Sequence, residues 1–262
     1  MKGAILGDIV GSRFEFKNHL SKDFQMFTYQ SVFTDDTVCT IATMDWLMNQ
    51  SQDYSFYLKK WCRRYPNAGY SGMFKKWIDT SDKPYNSFGN GAGMRVSPVG
   101  LFGSFIGEVL MLAEKTAIAT HNHPEGIKGA KAIALAVYLA KSKSKQEIKT
   151  EIEKLGYKIE LPEKKGVFDA TSQVTVPHAI ACFLESNSFE DAIRIAVSIG
   201  GDSDTITSMT GGIAEAFYGI DEKYLKYLPD EFTEIIDKFY KFCDKRQKDA
   251  SSETARMRFV FR

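Results

Sequence analysis

Apolar residues along this chain recur at helical spacing far more often than in alternation. In DDTVCTIATMDWLMNQ, Val38, Ile41, Ala42 and Leu47 recur at steps of three, four and five, with Asp and Thr available to cap its start. SFYLKKWCRRY and SFIGEVLMLAEKTAIAT repeat the amphipathic pattern. PEGIKGAKAIALAVYLAKS opens on Pro124 and continues in small apolar residues, which suits a buried helix. SKQEIKTEIEKLGY has Ser144 placed as an N-cap and Gly156 as its stop. TVPHAIACFLES, SFEDAIRIAVSIG and SIGGDSDTITSMTGGIAEAFYGI follow. DEFTEIIDKFYKFCDK carries acids early and lysines late, matching a helix dipole. Only KIELP and the terminal RMRFVFR hint at strands. The pattern predicts an all-α fold.

No low-complexity linker divides the chain, so residues 1–245 read as a single domain and 246–262 as a polar C-terminal tail with an apolar, docking end. The least regular stretch is Asp79–Gly103, rich in Gly, Pro, Asn and Ser; a long loop inside a helical domain usually carries function.

Composition narrows the partners. The 262 residues are 44% hydrophobic, enough for a large core, and the formal net charge is +1. That balance argues against a nucleic-acid-coating surface and against a polybasic membrane patch. A small acidic ligand in one local pocket stays compatible with it. The cysteines Cys39, Cys62, Cys182 and Cys243 form no metal-ribbon or disulfide pattern, which points to reduced thiols in the cytoplasm. Asp8, with Gly7 and Gly11, breaks the apolar N-terminal run too early for a signal peptide, and no run reaches membrane-spanning length.

Two acidic stretches echo each other: FTDDT, with Thr34, Asp35, Asp36 and Thr37, and GGDSDT, with Asp202, Ser203, Asp204 and Thr205. Asp or Thr before a helix is ordinarily an N-cap worth about 1 kcal/mol. The second stretch lies between segments that read as core, where an unpaired charge would cost several kcal/mol. A divalent cation would neutralise several carboxylates together. Oxygen ligands without His or Cys suit Mg²⁺, Mn²⁺ or Ca²⁺. Four or more aspartates could hold two ions about 3.5–4 Å apart.

Other segments are more ambiguous. PYNSFGNGAGMRVSPVG has closely spaced glycines able to expose N–H groups to a phosphate, but it matches neither the dinucleotide fingerprint nor the P-loop, and taken alone a plain turn-rich loop explains it better. His121 and His123 stand before a helix, where capping competes with ligand binding; His178 reads as a core histidine. Glu15, between Phe14 and Phe16, is either an exposed turn residue or a carboxylate raised in pKa for acid–base work.

Taken in order, GAILGDIVGSRFE, FTDDT, FGNGAGMRVSPVG, THNHPEGIKGA and the GGDSDT segment resemble the ADP-ribosylglycohydrolase family over roughly Met1–Ile220. The resemblance implies an all-α domain with a dinuclear centre of two Mg²⁺ or Mn²⁺ in a central cleft. Its metal ligands would be Thr34, Asp35, Asp36, Asp202, Asp204 and Thr205. Glu15, Asp35 and Asp36 would be catalytic. Ser87, Gly89, Asn90, Gly91, Ala92 and His121 would bind substrate. One departure is Gly93, where a methyl-bearing residue is common in the family; the segment recognising the leaving group has no clear counterpart. The implied reaction is metal-dependent hydrolysis between ADP-ribose and an acceptor such as an arginine side chain, on an ADP-ribosylated protein or small molecule. Nucleic acid and membrane partners are not expected, and a monomer or small homo-oligomer is. The competing reading is a non-catalytic ADP-ribose-binding or crystallin-like member of the same fold.

Overall fold

Three glycines one helical turn apart set the closest packing in the molecule. Helix α1 (Lys2–Gly11) presents Gly3, Gly7 and Gly11 to helix α12 (Ser203–Tyr218). A Cβ on Gly3 would stand 2.3 Å from the Gly211 carbonyl, one on Gly7 2.2 Å from that of Thr207, and one on Gly11 2.5 Å from that of Ser203. The pairing is antiparallel, one turn of each helix per contact, and only glycine permits it. Gly7→Ala is therefore expected to destabilise the protein by about 3 kcal/mol through overpacking, read as a lower chemical-denaturation midpoint at unchanged slope.

The computed structural model describes residues 1–51 and 53–260, with side chains as far as 249. Around the α1/α12 pair lie α2 (Asp35–Asn49), α3 (Tyr54–Arg64), α4 (Gly72–Thr80), α5 (Gly91–Met94), α6 (Ser97–Phe102) and α7 (Ile106–Ile118). The remaining helices are α8 (Pro124–Ala140), α9 (Lys145–Glu153), α10 (Ser172–Glu185), α11 (Phe189–Ile199) and α13 (Asp230–Val260). Helix α12 packs on α1, α8, α10 and α11, and α8 on α5, α6, α7 and α10, so these two helices form the centre. Both are buried nearly all round, which their small residues allow.

The all-α expectation holds, with no strand among the described residues. Lys158–Pro162 is irregular, and the second strand candidate instead continues α13 as far as Val260; Phe261 and Arg262 lie outside the described residues. The polar stretch after residue 245 is thus helical backbone, and the side chains of its apolar end are not described. Asp79–Gly103 is only partly a loop, because Gly91–Met94 and Ser97–Phe102 each close short helices. Ser144 forms a full capping box with Glu147, and Gly156 adopts φ +86° beyond the helix end. His123 caps α8 by accepting from the Glu125 amide, whereas His178 is half-buried and not a core residue. No described helix is long and apolar enough to cross a membrane.

Candidate active site

The α1/α12 contact brings carboxylates from distant sequence together. Asp8 of α1, Asp36 in the first turn of α2 and Asp204 in the first turn of α12 have oxygens within 4.8 Å of one another. Glu15, Asp202 and Asp204 form a second such group. Asp204 belongs to both. The helix N-termini of α2 and α12 point here, which favours negative charge. Asp8 is held by four donors: the amide and hydroxyl of Thr34 at 2.8 and 2.7 Å, and the amide and hydroxyl of Thr37 at 3.1 and 2.5 Å. Thr205 donates to Asp36 Oδ2 at 3.1 Å, and Asp36 Oδ1 is buried with no hydrogen-bond partner.

None of these acids takes part in a described salt bridge. Burial and mutual repulsion consequently push their carboxyls up. Burial raises Asp8 to about 6 despite its four donors. Burial, then Asp202 and Asp8, raises Glu15 to about 7. Burial and the Asp8 charge raise Asp35 to about 8. Burial, then the Asp8 and Asp35 charges, push Asp36 well up, and burial, then the Asp36 and Asp202 charges, do the same to Asp204. Buried, unpaired carboxylates with one orphaned oxygen fit hard divalent cations, which would supply the missing positive charge.

Two loops close the site. Asn18 Oδ1 accepts from the Gly201 amide at 2.8 Å, while its Nδ2 donates to the carbonyls of Phe14, Glu15 and Gly201. It ties the Glu15 turn to the Gly200–Gly201 loop, where both glycines have positive φ. Across the cleft, Asn90 Nδ2 donates to Asp202 Oδ2 at 2.6 Å. The glycine loop is stitched to residues 170–172 by Asn90 N to Ala170 O, Ser172 N to Phe88 O and Ser172 Oγ to Gly89 O. A cleft of about 720 Å³ results, lined by Glu15, Asp35, Asp36, Gly89, His121 and Asp202 among others. That volume suits a nucleotide-sized ligand.

Asp36, Asp202 and Asp204 meet in the acidic cluster, and Glu15 joins them as a neighbour close enough to share a cation. Asp35 and Thr205 line the cleft, and Thr34 caps α2 and supports Asp8. Ser87, Gly89, Asn90, Gly91 and His121 line the opposite wall, whereas Ala92 is fully buried beneath it. Gly93 faces the core, where a methyl would meet Met209 Sδ at 3.1 Å. Sequence reading passed over Asp8 as an interruption of an apolar run and did not single out Asn18. A lone acid on a glycine-spaced, otherwise apolar helix was the available signal for Asp8.

Comparison with known proteins agrees with this geometry. Residues 1–251 match the ADP-ribosylglycohydrolase family profile. ADP-ribosylhydrolase ARH3 of Homo sapiens is 26% identical, with 85% of each chain covered. ADP-ribosyl-[dinitrogen reductase] glycohydrolase of Rhodospirillum rubrum is 24% identical over 95% of this chain and 92% of its own. A solved structure described as an ADP-ribosylglycohydrolase-related protein complex superposes with a TM-score of 0.74 at 21% identity, covering 92% of this chain and 95% of that one, which supports the fold. Sequence match, fold and the convergence of both acidic stretches agree that this chain belongs to the ADP-ribosylglycohydrolase family, whose members hydrolyse ADP-ribose linkages.

Proposed function

We propose that the protein hydrolyses the glycosidic bond joining ADP-ribose to an acceptor, with two Mg²⁺ or Mn²⁺ ions, and that a modified protein side chain such as ADP-ribosylarginine is the substrate. The observation that carries this is the acidic cluster itself: Glu15, Asp36, Asp202 and Asp204 on the floor of a nucleotide-sized cleft, with Asp8 buried against them, in two overlapping groups. A protein with a purely structural role gains nothing from burying repelling carboxylates.

Asp8, Asp36 and Asp204 would hold one ion, and Glu15, Asp202 and Asp204 the other. When bound, such ions supply Lewis acidity and a water of lowered pKa. Glu15 sits half-buried beside the cluster, placed to take a proton from the attacking water. Asp35 offers a second carboxylate on the same wall. The Ser87–Gly91 loop and His121 would hold the diphosphate and ribose against the opposite wall. The acidic lining favours a cationic leaving group, which is why arginine heads the acceptors. Four buried free cysteines support a reducing, cytoplasmic setting.

Purified protein offered ADP-ribosylated arginine, ADP-ribosylated serine and small ADP-ribosylated acceptors should release ADP-ribose only with Mg²⁺ or Mn²⁺ present. Calorimetric binding of ADP-ribose without turnover on any acceptor would instead support the non-catalytic reading.

A further inference from the structure

Arg95 is the least expected charge in the core. It is 1% exposed, has no carboxylate partner among the described residues, and lies against the cleft wall beneath the glycine loop. Its charge is accommodated by the faces of Tyr54 and Phe74, 5.6 and 6.0 Å from its guanidinium carbon, and by acceptor oxygens. Nη2 donates to the Thr116 carbonyl and to Thr120 Oγ1, each at 2.8 Å. Thr120 is fully buried, and its hydroxyl lies 2.7 Å from His121 Nδ1.

A guanidinium only donates. Thr120 Oγ1 therefore accepts from Arg95, and its own proton has one described acceptor, His121 Nδ1. With Nδ1 accepting, a neutral imidazole carries its proton on Nε2. Nε2 faces the glycine loop, 3.0 Å from where a Cβ on Gly91 would stand. We infer that Arg95 and Thr120 are positioning residues that hold His121 as a neutral Nε2–H donor, so that this wall of the cleft takes a ligand oxygen, phosphoryl or hydroxyl, as hydrogen-bond acceptor. Burial and the nearby Arg95 charge both lower the imidazole pKa, which agrees with a neutral ring. The same relay excludes His121 as a base toward the ligand, because its free nitrogen faces Thr120. A Cβ on Gly91 would crowd the donor's approach, 3.0 Å from Nε2 and 3.1 Å from Cε1.

This inference deepens the proposed function, and its test is separable from it. Nitrogen-15 NMR of the full-length protein with Mg²⁺ should show a single His121 tautomer, protonated at Nε2 and bare at Nδ1. Thr120→Val should abolish that preference and weaken ADP-ribose binding about fivefold by calorimetry, the loss of one aligned neutral hydrogen bond. Thr120→Ser, which keeps the hydroxyl, should restore both. A parallel loss for ADP assigns the acceptor oxygen to the diphosphate; a loss confined to ADP-ribose assigns it to the distal ribose. A wild-type His121 protonated at Nδ1, or a Thr120→Val protein with the wild-type tautomer and affinity, overturns the inference. Failure of the wild type to bind any of these ligands would instead count against the proposed function, while the tautomer would still be read.

Discussion

Asp36→Asn is expected to eliminate metal-dependent release of ADP-ribose, by at least about three powers of ten, while making the metal-free protein more stable than the parent. The two effects have one cause. Asp36 is 1% exposed and has one oxygen without a partner; burial first, then the charges of Asp8, Asp35 and Asp202, push its carboxyl well up. Losing a ligand of a Lewis-acid site removes several kcal/mol of transition-state stabilisation, and each 1.36 kcal/mol is tenfold in rate. The amide has the same shape and its oxygen can still accept from Thr205, but it carries no charge to repel its neighbours. Relief of that repulsion should raise stability in chelator by about 1–2 kcal/mol. A turnover assay with Mg²⁺ or Mn²⁺, beside denaturation in chelator, checks both halves. An Asp36→Asn protein that is inactive yet destabilised would mean the side chain is structural instead.

The second large effect is a stability that falls with rising pH when metal is removed. The sign follows from the direction of the shifts. Asp8, Glu15 and Asp35 titrate at about 6, about 7 and about 8 in the fold, above their ordinary values near 4. The folded state thus holds protons that the unfolded chain has released. The contribution is fully present below pH about 4 and is lost as pH rises through about 6 to 8. Asp8 alone, fully buried and held near 6, accounts for about 3 kcal/mol of this fall. Melting curves in chelator should show a lower melting temperature at pH 8 than at pH 5. Saturating Mg²⁺ should cancel or reverse the trend, because cation binding needs the ionised carboxylates and stabilises only the fold. A metal-free protein equally stable at both pH values would show that the acids are not mutually strained as their burial implies.

Much of the candidate site was legible because its chemistry is concentrated in short segments. FTDDT and GGDSDT each pair acids with hydroxyls at a helix start, and that local grouping is visible without coordinates. So is the glycine density around Asn90. Asp8 was not legible in the same way, because one acid in an apolar run looks like an interruption until Thr34 and Thr37 are seen donating to it. Asn18 and Arg95 are similar cases: each has a decisive partner more than 20 residues away, Gly201 for Asn18 and Thr120 for Arg95.

Helical class, most helix starts and the oxygen-rich chemistry are set locally along the chain, since spacing, capping and ligand type are properties of neighbouring residues. Strand hints at Lys158–Pro162 and, within the described residues, Arg256–Val260 misled because five residues of alternation cannot outweigh the lack of a pairing partner. The tertiary structure decided which carboxylates share a cation site, because that depends on α1 and α12 closing to backbone contact through Gly3, Gly7 and Gly11. It also decided which nitrogen of His121 faces the ligand, through a hydroxyl and a guanidinium that only the folded core brings into line.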